Sequence, residues 1–185
     1  VDQIRPLVEQ GSDKRFKTKW SDERCALFWA SAMGNDEIVG FLLEHESSTS
    51  PNNGTKNRNS QQGKKESDET VAIAARNGKL GVVRELLYHG RSPNSMGRNG
   101  DSALALAVQQ GHTDIVEVLL ENGAEKNRKN ADGDTVLLTA VQEKRLSVVK
   151  ALIASKAEIE THDKKGKTPL IRAVSNNDID VTALL

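Results

Sequence analysis

Residues 100–127, GDSALALAVQQGHTDIVEVLLENGAEKN, decide the fold. They hold two short helical patterns joined by a glycine turn. Ser102 offers an N-cap hydroxyl ahead of the apolar run Leu104, Leu106, Ala107 and Val108. Gly111 predicts the end of that helix, because glycine takes the left-handed C-terminal conformation without steric cost. A second amphipathic pattern runs through Ile115, Val116, Val118, Leu119 and Leu120 and closes at Asn122-Gly123. Helices this short are unstable alone in water, where about 12–15 residues are needed even for good helix formers. Such a unit has to stack on copies of itself.

The copies are present. Val71, Leu104, Leu137 and Leu170 occupy one place in four helical patterns, each 33 residues after the last. The second helices keep the same register: GVVRELL at 81–87, DIVEVLL at 114–120 and SVVKALI at 147–153. Thr168-Pro169-Leu170 opens a first helix, Gly111-His112 sits between two helices, and Leu119-Leu120 with Asn122-Gly123-Ala124 closes a unit. With the 33-residue period, these residues resemble the ankyrin repeat. The resemblance covers nearly the whole chain. It implies an all-α solenoid of stacked helix–turn–helix units with hairpin-like finger loops.

Bulk composition narrows the function. Lys plus Arg equals Asp plus Glu, 26 each in 185 residues, so the formal net charge is zero. That balance argues against a nucleic-acid module, which carries a basic stripe. A single cysteine, Cys25, excludes an internal disulfide framework and fits a reducing, intracellular setting, cytoplasmic or nuclear. No run approaches 18 consecutive apolar residues, so no membrane insertion is expected. The chain opens without an initiator methionine and reads as an excerpt of a longer protein.

The whole chain, 1–185, reads as one array. Residues 1–19 form a partial repeat or cap, in which Pro6 is awkward for a helix. Residues 20–46 hold the first helix pair with its flanking finger. Phe28 and Trp29 stand there where the family has a histidine and a small apolar residue, and both are expected to fill a gap in the core. Leu27 and Val71 lie 44 residues apart, 11 beyond the period. The excess falls in 47–68, rich in Ser, Asn, Gln and Lys, which reads as a mobile polar insertion. Its Asn53-Gly54-Thr55 matches a glycosylation pattern that only a secreted chain would use. Repeats follow at 69–96, 97–129 and 130–162, and 163–185 is a truncated repeat. Lys144, Lys156 and Asn177 take places that glycine holds in other copies. Val181, Leu184 and Leu185 are expected to face the core, and the natural protein to continue beyond them.

Catalysis needs a positioned constellation, and none appears at a recognisable spacing: no GxGxxG, phosphate loop, GxSxG or HExxH. His45, His89, His112 and His162 fall in separate units without paired ligands, so neither metal nor cofactor is expected. His112 reads as the turn residue orienting the loop between helices. Cys25 reads as a structural thiol. The acidic residues read as solvated surface.

A non-catalytic protein-binding scaffold is therefore the leading reading. The family's concave surface, lined by finger tips and the exposed face of first helices, maps onto this chain residue by residue. Trp20, Asp22, Arg24 and Met33 fall at its N-terminal end, then Arg76 and Asn77. Arg98, Asn99, Asp101, Gln109 and Gln110 surround the opening stretch. Asp132, Asp134, Gln142 and Glu143 follow, and Lys164, Lys165, Lys167 and Asn176 come last. Trp20, Arg24, Arg76 and Arg98 lead this set, since interface hot spots favour Trp, Tyr and Arg. The partner would be another protein or, in a regulatory or targeting arm of a larger enzyme or signalling protein, other domains of the same chain. A small anion at KKGK, residues 164–167, is a third reading.

Overall fold

The computed structural model describes residues 26–48, 69–130 and 132–185. The readings placed on Trp20, Asp22, Arg24, Cys25, residues 1–19 and the insertion at 49–68 lie outside the described residues. Ten helices are described, in five antiparallel pairs: α1 (Ala26–Met33) with α2 (Asp36–Ser48), α3 (69–76) with α4 (Leu80–Tyr88), α5 (Ala103–Gln110) with α6 (Thr113–Glu121), α7 (Val136–Gln142) with α8 (Leu146–Ala154), and α9 (Pro169–Ser175) with α10 (Ile179–Leu184). No strand occurs among the described residues; a single antiparallel bridge joins Met96 and Ser102. This is the all-α solenoid that the period implies.

Each first helix starts on a side-chain cap. The hydroxyl of Ser102 accepts from the Ala105 N–H at 3.1 Å. Thr135 and Thr168 do the same for the Leu138 and Ile171 N–H groups, both at 3.4 Å. Gly111 ends α5 at φ 78°, left-handed as expected. Lys144, Lys156 and Asn177 hold φ values of 55°, 62° and 52°. The turn geometry of the repeat has thus been kept at the positions where glycine was lost.

Helix pairs stack with first helix on first helix, as in α5·α7 and α7·α9, and second on second, as in α2·α4, α4·α6, α6·α8 and α8·α10. Burial follows the register. Val71, Leu104 and Leu137 are sealed, as are Val82, Val83 and Leu86, Ile115, Val116 and Leu119, and Val148, Val149 and Leu152. All belong to one continuous core that runs from Leu27 to Val181. Val181 is buried, and Leu184 and Leu185 pack partly against that core, as expected. Phe28 is buried too, but Trp29 is 44 % exposed. Only the first of the two aromatics fills the core.

Close approach between copies explains one glycine column. The ring of His112 lies over Gly78, where an added Cβ would come within 2.7 Å of it. Arg145 covers Gly111 and Lys79 covers Gly34 in the same manner. His112 therefore acts between repeats and not merely within its own turn. At Lys144, where the glycine is gone, the covering position is Asp178, a short side chain that turns away to cap α10 through the Val181 N–H.

Candidate functional site

The fingers are tight hairpins at 97–101, 130–134 and 163–167. In each, the first residue's N–H donates to the last residue's carbonyl: Gly97 to Asp101, Asn130 to Asp134 and Asp163 to Lys167. The side chain of Asn130 also accepts from the Asp132 and Asp134 N–H groups, at 3.0 and 2.9 Å. Asp163 accepts likewise from Lys165 and Lys167, at 2.7 and 2.8 Å. Gly97 has no side chain to do this.

Neighbouring copies are stitched below the fingers. Asn94 accepts from the Glu125 N–H at 2.8 Å, and Asn127, 33 residues on, accepts from Glu158 at 3.1 Å. Lys126 donates to the Ser155 carbonyl and Lys129 to that of His162. These bonds fix the spacing of the fingers and so the shape of the surface they line.

On that surface Met33, Arg76, Gln110, Gln142 and Glu143 are exposed, and Gln109 is half-buried. Arg98 and Asn99 are exposed at a finger tip, with Asp101 half-buried beside them. Arg98 stands 4.0 Å from Glu69. Asn77 and Asn176 each reach back to the preceding copy, donating to the carbonyls of Ala32 and Val141. Their amides serve the stack.

The structure gathers these residues into distinct hollows. One, of about 200 Å³, is lined by Phe28, Ile73 and Leu106 on its apolar side and by Glu69, Arg76, Arg98 and Asp101 on its polar side. A second, where Gln109 meets the next finger, is only about 20 Å³. The third, about 490 Å³, brings together Asp132, Asp134, Gln142, Lys164, Lys165 and Lys167. Its three lysines share the space with three aspartates, Asp163 included, so its charge is far from that of an anion site.

One cluster was not anticipated. Arg172 on α9 donates to both carboxylate oxygens of Asp134, at 2.9 and 2.7 Å, and to Asp163 at 2.7 Å. The three side chains are 12 %, 18 % and 7 % exposed. The reading of the acidic residues as solvated surface is thus corrected for Asp134 and Asp163. Bidentate pairing with a guanidinium allows their burial, which an unpaired carboxylate would resist. Arg172, helped by the backbone N–H groups of Lys167 and Lys165, holds the Asp163 carboxyl down at about 2 against partial desolvation. Asp134 thus faces the groove with its charge already satisfied.

Among the described residues, no group of three or more His, Cys, Asp or Glu is placed to hold a metal, and no helix is long and apolar enough to cross a membrane. The described histidines lie in separate units and bear no constellation around them. The family model described as ankyrin repeats (3 copies) matches the sequence twice, over residues 55–130 and 126–185. A search of the curated proteins returned no match. The first pair, α1 and α2, precedes the matched span, yet α2 packs on α4 as each later second helix packs on the next. With the period, the left-handed turns, the finger hairpins and this match together, the chain belongs to the ankyrin-repeat family.

Proposed function

We propose that the chain is a non-catalytic scaffold that binds a partner protein on the concave surface formed by its fingers and first helices. Ankyrin repeats are in general protein–protein interaction modules and typically non-catalytic. The observation that carries the reading to this surface is the difference between copies. Core positions repeat almost unchanged every 33 residues, whereas the groove positions Arg76, Gln109 and Gln142 differ while sharing one register. A stacked array keeps its fold through the former and is free to vary the latter.

The test compares two sets of matched substitutions. Peptides selected from a random library on the 185-residue chain are titrated against Arg76→Ala/Gln109→Ala/Gln142→Ala and against Arg84→Ala/Glu117→Ala/Lys150→Ala. The second set lies in the same register on exposed faces of the second helices. The concave set should lose binding at least tenfold and the other set should not, with unchanged circular dichroism in both. The opposite pattern overturns the proposal.

A further inference from the structure

We propose that the hollow beside Gly97 receives one large apolar side chain of a partner segment, with a single carboxylate of that segment held by Arg76 and Arg98. The proposal rests on the concave-surface reading and names the chemistry it selects. At about 200 Å³ the hollow is smaller than a typical cofactor pocket of about 300–1,000 Å³ and suits one side chain.

The absence of a side chain at Gly97 keeps it open. Asn130 and Asp163 hold the same place in the next two fingers and make the same turn, so the hairpin does not require glycine. Nor is Gly97 among the left-handed residues. A Cβ at Gly97 would stand 3.2 Å from the Leu106 side chain and begin to cover it. The vacancy is therefore local to this finger and exposes an apolar floor.

Chemistry along the groove restricts the site to this part of it. At one first-helix position the five copies carry Trp29, Ile73, Leu106, Thr139 and Arg172. The first three are apolar and the partly exposed Trp29 extends the strip towards the N-terminal end. Beyond Leu106 the groove narrows to about 20 Å³, and further on Arg172 is held by Asp134 and Asp163. Only the hollow at Gly97 combines apolar depth with open space.

Two guanidiniums flank it. Arg76 is exposed and makes no ion pair with a described residue, and the Arg98–Glu69 approach of 4.0 Å leaves room for closer, bidentate pairing. Glu69 and Asp101 balance the rim, so the complement is one carboxylate, not a run of acids or a phosphate backbone.

The experiment is a selection from a phage-displayed random-peptide library on the whole chain, followed by titration of the enriched peptides. The expected consensus places Leu, Ile, Met or Phe beside Asp or Glu. Gly97→Asn, which also supplies the finger acceptor seen at Asn130, should weaken binding at least tenfold while leaving the thermal midpoint unchanged or higher. Leu106→Thr, the residue found 33 positions on, is the second variant and should weaken binding similarly. Arg76→Glu/Arg98→Glu should shift the selected acid to Lys or Arg. A consensus without the apolar–acidic pair, or peptides indifferent to both Gly97→Asn and Leu106→Thr, overturns the pocket. If such peptides still respond to the Arg76/Gln109/Gln142 set, the concave-surface reading survives; if they ignore that set, or nothing is enriched, both fall. Self-association in sedimentation that Gly97→Asn abolishes would replace the partner with a second copy and overturn the proposal.

Discussion

Lys144 and Lys156 sit in left-handed turns that glycine occupies in earlier copies. A side chain with a Cβ costs about 1–2 kcal/mol in that conformation. Glycine costs about 0.5–1 kcal/mol in unfolded-chain entropy, so part of the relief is offset. Lys144→Gly and Lys156→Gly are each expected to stabilise the chain by up to about 1 kcal/mol, measured as a rise in the urea midpoint; a fall would show that neither turn is strained. These turns were readable in the sequence because the other copies mark the same places with Gly78, Gly90, Gly111 and Gly123. Arg172 was not. Its partners lie 38 and 9 residues away and no other copy has an arginine at that position, so the period gave no template for it. The hollow at Gly97 escaped for a related reason: a missing side chain matters only once the neighbouring Leu106 and Phe28 are in place.

Elements are joined by the capped helix starts and by the Arg172 cluster. Ser102→Ala, Thr135→Ala and Thr168→Ala each remove one cap and should each destabilise by about 1 kcal/mol, seen as lowered denaturant midpoints. Arg172→Ala removes the cation that ties two fingers to α9. Its contribution through Asp134 is about 2 kcal/mol, the scale of a charge-assisted hydrogen bond. The pH dependence follows from Asp163. Its folded value of about 2 lies below the usual carboxylate value near 3.8. The depressed value means that its stabilisation is fully present above about pH 4 and is lost as pH falls towards 2. Urea midpoints between pH 5 and pH 2 should fall less steeply for Asp163→Asn than for the parent; parallel slopes would show that the cluster contributes nothing.

At the scale of the molecule, burial comes from stacking more than from residue type. Val141 is fully buried, while Val174, 33 residues later in the last described pair, is 61 % exposed. Val141→Ala should cost about 2 kcal/mol and Val174→Ala less than about 0.5 kcal/mol, a contrast that denaturant titration resolves. The same stacking fixes the fingers in a row and sets apolar depth beside Gly97 and a charge-locked stretch at Arg172 on one surface. Periodicity alone gives the stack; the groove's gradient needs the coordinates of five copies side by side. The central claim is that this groove holds a partner segment, and amide hydrogen exchange with a selected peptide bound tests it most directly. Added protection is predicted at 69–76 and 97–110, with α4, α6 and α8 unchanged on their outer faces; protection confined to those second helices, or none at all, would contradict it.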